Sequence, residues 1–66
     1  MKYGDAIKQQ RLLRGISLSE LEKETGISNQ NLSRWERNEV LPNIDFCVRL
    51  AKYYQISIEE LIGLNE

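Results

Sequence analysis

Between Ile27 and Trp35 the chain carries Asn29, Gln30, Asn31, Ser33 and Arg34 and no acidic residue. Side-chain amides and a guanidinium make paired hydrogen bonds to base edges in the wide groove of a duplex, Asn or Gln to adenine and Arg to guanine. A merely solvated helix face favours Glu and Lys at i,i+4 spacing instead. Amides are weak helix formers, so three in a row cost stability and call for a reason. At helical spacing Asn29, Gln30, Ser33 and Arg34 share the open side of a helix, with Asn31 beside them and Leu32 and Trp35 facing inward. The plainer alternative is a cluster at a helix start, tolerated because it is on the surface.

Other chemistries find little support. Ser17, Ser19, Ser28, Ser33 and Ser57 have no histidine to activate them, because the chain has none. Glu59 and Glu60 are adjacent, so on a helix they point apart and cannot share acid–base work. One cysteine, Cys47, and no histidine exclude an internal disulfide and the usual zinc sites. A chain of 66 residues has little room for an enclosed pocket. The expectation is therefore no enzyme, no metal, no cofactor and no small-molecule ligand.

The elements that position the amide-rich segment are marked by caps. Tyr3, Ala6, Ile7, Gln10, Leu13 and Arg14 recur at helical spacing, with Gly15 as the stop. Ser17-Leu18-Ser19-Glu20 reads as a capping box, Ser17 and Glu20 each bonding a free backbone N–H, and opens a helix from about Leu18 to Thr25 that ends at Gly26. Ser28 caps the next helix, which runs through Glu36. Asn38, Pro42 and Asn43 mark a loop over 37–43. Asn43 then caps a helix from Ile44 to about Tyr54, with Asp45 in its first turn, where negative charge suits the dipole. Ser57 to Glu60 is a second capping box, for a short helix that stops at Gly63. No alternation is long enough for a strand, so five short helices are expected. The pair flanking Thr25-Gly26-Ile27-Ser28, with Leu21, Leu32 and Trp35 meeting across the turn, has the helix-turn-helix arrangement.

Length and composition set the frame: one small domain over 1–66, with a core that is only marginally sufficient. The longest apolar run, Phe46-Cys47-Val48, is far short of a membrane span, and no apolar stretch follows Lys2, as a secretory signal would require. With its lone thiol, this points to the cytosol. Net charge is −1 and the pI about 5.4, which is poor for nucleic-acid binding taken alone. The distribution is polarised, however: seven Lys/Arg against five Asp/Glu in 1–38, and two against five in 39–66.

The string Ile7…Arg11…Arg14-Gly15-Ile16-Ser17…Glu20-Leu21…Thr25-Gly26-Ile27-Ser28…Leu32-Ser33-Arg34-Trp35-Glu36…Pro42…Leu50-Ala51…Tyr54…Ile56-Ser57…Glu60-Leu61 resembles the Cro and phage-repressor (XRE) helix-turn-helix family from about Gly4 to Leu64. The resemblance implies an all-α, five-helix bundle of the lambda-repressor type, with the motif at helices 2 and 3. It implies Asn29, Gln30 and Arg34 as base contacts, and Asn31, Ser33 and Arg37 nearer the phosphates. Ser17 would start a helix that offers backbone N–H groups to a phosphate. Arg11 and Glu36 match the family's ion pair between the first helix and the end of the recognition helix; the alternative is two independent surface charges.

The chain departs from the family at several positions. The usual glutamine is Leu18, which puts that phosphate contact in question. The usual small residue is Glu22, which must snorkel outward or open the packing of the two motif helices. The usual glycine after the recognition helix is Asn38, the best substitute in a left-handed turn. Glu39 is an acid near the expected phosphates, so neutralisation should be limited and the salt dependence shallow.

Trp35, at core spacing from Leu32, is expected inside rather than as a stacking platform. Cys47 is expected on a buried stripe with Ile44, Leu50, Ala51 and Tyr54. Leu12 falls off the core side of its helix, and Phe46 and Tyr53 align off the stripe of theirs. The candidate dimer residues are Phe46 and Tyr53, by that alignment, and Ile58 and Leu61, by the resemblance, which implies a two-fold dimer surface near the fifth helix. The overall expectation is a transcriptional repressor that binds double-stranded DNA as a homodimer on a palindromic operator, two half-sites roughly 34 Å apart doubling the base contacts. The rival is a protein-interaction or antitoxin-like module on the same fold with weak or no DNA binding.

Overall fold

Among the described residues, four of the five helices open on a side-chain cap. The computed structural model describes residues 2–64, ordered as α1 (Tyr3–Leu13), α2 (Leu18–Thr25), α3 (Asn29–Glu36), α4 (Ile44–Tyr54) and α5 (Ile58–Ile62). Ser17, Ser28, Asn43 and Ser57 each accept a hydrogen bond from a first-turn backbone N–H, as their types require. The boxes at Ser17 and Ser57 are half-boxes. Each serine accepts from the N–H three residues on, while the exposed Glu20 and Glu60 side chains make no return bond among the described residues. Helix α1 has no side-chain cap of its own at Lys2. Its N-terminus is served from across the molecule: Gly4 N–H donates to Asn38 Oδ1 at 2.9 Å, and Asn38 Nδ2 donates to Asp5 Oδ1 at 3.2 Å.

Helix α1 packs on α3 and α5, α2 on α3, and α4 on α5 with a smaller contact to α2. Ile7, Leu21, Ile27, Leu32, Leu50 and Leu61 are fully enclosed, and Trp35, Cys47, Ala51 and Tyr54 complete the core. Two expected stripe residues lie outside it. Leu13 is 70% exposed, because the buried face of α1 is centred on Ile7 and Arg11, whose guanidinium takes the space towards α3. Ile44, 64% exposed, is the first residue of α4 and precedes the point where that helix meets the core at Cys47. Glu22 is half-buried and α2 still packs on α3, with Leu21 enclosed between them. No helix among the described residues is long and apolar enough to cross a membrane.

The far end of the bundle is closed by Arg14. Its guanidinium lies 4.2 Å from the Tyr54 ring centroid and donates to the carbonyls of Gln10 (2.7 Å) and Tyr54 (3.2 Å). The Tyr54 hydroxyl is buried without a hydrogen-bond partner among the described residues. Burial pushes its pKa up to about 12, against the opposing pull of Arg14. A phenol raised above its unfolded value of about 10 contributes stability that is present below pH 10 and lost as pH climbs towards 12. Tyr54→Phe is therefore expected to be within about 1 kcal/mol of wild type at pH 7, since it removes an unpaired polar atom. It should also lose less stability than wild type between pH 10 and 12, measured by urea unfolding. Equal losses in the two proteins would refute the assignment.

Candidate nucleic-acid interface

Helix α3 is held by its inner face and presents its outer one. Leu32, Trp35 and Glu36 are buried, whereas Gln30 and Arg34 are exposed and Asn29, Asn31 and Ser33 are partly so. The turn before it is fixed locally: Gly26 has φ 76°, and Thr25 Oγ1 donates to Leu21 O at 2.7 Å while accepting from Ile27 N–H at 3.2 Å. A left-handed residue there lets α3 depart at once across α2, and the Thr25 hydroxyl locks the corner.

Asn29, Gln30, Ser33, Arg34 and Arg37 line one open groove of about 490 Å³, completed by Leu18 and Ser19 from the first turn of α2. The lining contains two amides, two hydroxyls, two guanidinium groups and no carboxylate. The groove thus unites the three expected base-contact residues with Ser33 and Arg37. Asn31 and Ser17 lie outside the lining. Ser17 is exposed, and its hydroxyl is taken by the Glu20 N–H at 3.0 Å. Leu18 and Ser19, whose backbone amides no helical carbonyl can reach, are the α2 residues of the lining. Leu18 stands where the resemblance leads one to expect glutamine, so this wall offers an alkyl surface rather than a hydrogen bond. Ser19 was not expected in the lining. Its only sequence signal is its position two residues after a cap.

Two clamps set the angle of α3. Arg11 meets Glu36 in a two-pronged pair, Nε to Oε2 at 2.8 Å and Nη2 to Oε1 at 2.9 Å, and its Nη1 donates to Ile16 O at 2.8 Å. Both residues are buried, and the hydrogen bond to Glu36 raises the Arg11 pKa above its ordinary value against the opposing effect of burial. The second clamp is Asn38, left-handed at φ 61°, which joins the end of α3 to the start of α1. Of the two groove arginines, Arg37 is paired with Glu39, whereas Arg34 has no ion-pair partner among the described residues.

The expected dimer residues fare unequally. Leu61 is enclosed in the core beneath α1 and α4, so it cannot lie on a surface of this protomer. Phe46 is half-buried against Trp35, ring centroids 5.1 Å apart, and Ile58 packs partly into the core. Tyr53 alone of the four is exposed, at 38%.

A five-helix bundle with a glycine-cornered helix pair and an outward, acid-free groove defines the helix-turn-helix class, and the chain belongs to the XRE-type helix-turn-helix family, matched over residues 7–61. It is similar to the HTH-type transcriptional regulator ImmR of Bacillus subtilis (strain 168), 32% identical over 66 residues, covering all of this chain and 52% of that protein. The HTH-type transcriptional regulator SinR of Bacillus licheniformis is 37% identical over 61 residues, 91% of this chain and 55% of its own length. The HTH-type transcriptional activator BcrR of Enterococcus faecalis is 23% identical over 66 residues, all of this chain and 32% of that protein. The chain thus spans about half the length of the ImmR and SinR relatives, and these proteins are named as transcriptional regulators, not as enzymes.

Proposed function

We propose that this protein regulates transcription, by repression, through sequence-specific binding of double-stranded DNA, α3 entering the major groove. The carrying observation is the open groove whose lining holds Asn29, Gln30, Ser33 and Arg34 without a carboxylate. In this reading Asn29, Gln30 and Arg34 contact base edges, and Ser33, Arg37, Asn31 and the α2 start at Ser17 contact phosphates. One module supplies few base contacts, so a homodimer on a palindromic operator completes the site, with Tyr53 and the exposed edges of Phe46 and Ile58 on the partner-facing side. A bound dimer represses by occupying its operator, and the cytosol is its compartment.

Selection of bound sites from a random DNA pool tests this directly, because recovered half-sites report both sequence and symmetry. Against the recovered site, Arg34→Ala is expected to cost about 1–3 kcal/mol and to relax the preference at one base pair. A uniform loss over all sequences would make Arg34 a phosphate contact instead. The second reading, a protein-interaction or antitoxin-like module, is favoured by the acidic pI of about 5.4 and by the paired state of Arg37. Failure to bind any duplex even at low salt would select it.

A further inference from the structure

The end of α3 places a carboxylate against a groove-lining cation. Asn38 N–H donates to Trp35 O and Glu39 N–H to Arg34 O, both at 3.0 Å, the double bond pattern of a Schellman cap around left-handed Asn38. That cap fixes where residue 39 leaves the helix. The Glu39 carboxylate then receives Arg37 side-on, Nε to Oε2 at 3.0 Å and Nη2 to Oε1 at 3.4 Å. Both side chains remain about half exposed, at 59% and 50%. An exposed pair of this kind is weak and exchanges readily.

Arg37 also lines the groove, so its guanidinium faces two acceptors of like charge and shape: the carboxylate behind it and any phosphate brought up in front. Arginine pairs with carboxylate and with phosphate in the same forked manner. On the DNA-binding reading above, we infer that Glu39 is an internal competitor of the DNA backbone for Arg37, holding down sequence-independent affinity. Engaging a phosphate requires Arg37 to leave Glu39. The carboxylate it leaves stands within a Debye length of the same phosphate and repels it. Both effects act on the backbone and neither on a base edge. Glu39 therefore lowers binding to all duplexes by a similar factor and leaves discrimination to Asn29, Gln30 and Arg34.

The test is a cycle of wild type, Glu39→Gln, Arg37→Gln and the double variant, titrated against a random-sequence duplex over a range of salt, with helicity checked by circular dichroism. Glu39→Gln is expected to steepen the salt dependence by about 0.9 in log K per log salt for each protomer bound, an extra factor of about eight for each tenfold drop in salt. In the Arg37→Gln background the same substitution should add a clearly smaller slope, since only the relief of repulsion remains. Preference for selected over random sites should stay unchanged. An unchanged slope in Glu39→Gln, or an equal gain in both backgrounds, overturns the competition while leaving the DNA reading in place. A changed base preference also overturns it, since Glu39 would then be reading sequence. Absence of binding by all four proteins at low salt overturns both.

Discussion

Glu36→Ala is expected to lower stability by about 3–5 kcal/mol, because it leaves the buried Arg11 guanidinium without its counter-charge. Arg11 is only 9% exposed, and two of its three polar bonds end on Glu36; the third, to Ile16 O, survives the substitution but carries no full charge. A domain of this size holds about 3–10 kcal/mol in all, so the substitution removes from about a third to all of its stability. The midpoint of thermal unfolding should fall by roughly 12–40 °C. The pair is not thereby a large net stabiliser, since both groups had to leave water. Arg11→Met combined with Glu36→Leu removes both charges, and it is expected to be more stable than either single variant. The functional consequence is separate: an apolar pair can slide, whereas the forked bond defines one angle of α3 on α1. On the DNA-binding reading proposed above, the double variant should hence fold yet discriminate poorly among DNA sites. Thermal scans of the three variants check the first claim, and near-wild-type stability in Glu36→Ala would refute it.

The parts of this molecule that were legible in sequence are those settled within one turn of helix. Ser17, Ser28, Asn43 and Ser57 bond to amides two or three residues away, so their types alone locate four helix starts. The open face of α3 was legible for the same reason, since Asn29, Gln30, Ser33 and Arg34 share a side of one short helix. What failed depended on neighbours far along the chain. Periodicity cannot say which helix meets a stripe, so spacing puts Leu13 and Ile44 inside. A resemblance cannot say which side of α5 is covered, so it puts Leu61 on a dimer surface. All three placements are the reverse of the observed burial. Charge at Arg11 hid the true centre of the α1 face. Gln55 takes φ 61° at the end of α4, where the chain offers no glycine to announce it. The groove needed two helices, which is why Ser19 joined it unannounced. Asn38 was read only as a substitute for glycine in a turn. Its side chain works 34 residues away, at the start of α1.

That distant contact makes Gly4→Ala the substitution whose sign best separates local from tertiary reasoning. Gly4 lies inside α1, and helix propensity alone expects alanine there to gain about 0.5–1 kcal/mol. In the fold, Gly4 is buried where the start of α1 crosses the end of α3. A β-carbon on it would fall inside the van der Waals envelope of the Trp35 carbonyl oxygen and 2.6 Å from Asn38 Oδ1. The Asn38 amide can swing away, but the Trp35 carbonyl is backbone inside α3 and can yield only if the helices part. The expected outcome is a net loss of about 1–3 kcal/mol, the usual cost of overpacking. Gln9→Ala, at an exposed position of the same helix, should be neutral or slightly stabilising. Asn38→Gly keeps the left-handed backbone but deletes the clamp, at a cost of about 0.5–1.5 kcal/mol for each bond lost. Adding it to Gly4→Ala relieves the side-chain clash alone, so the double variant should stay well below wild type. Recovery in the double would place the conflict at Asn38 instead of Trp35, and a Gly4→Ala protein as stable as wild type would mean that α1 and α3 do not approach this closely. On the DNA-binding reading proposed above, and since the same contact sets the tilt of α3, Gly4→Ala should also weaken discrimination among DNA sites although no groove side chain is replaced.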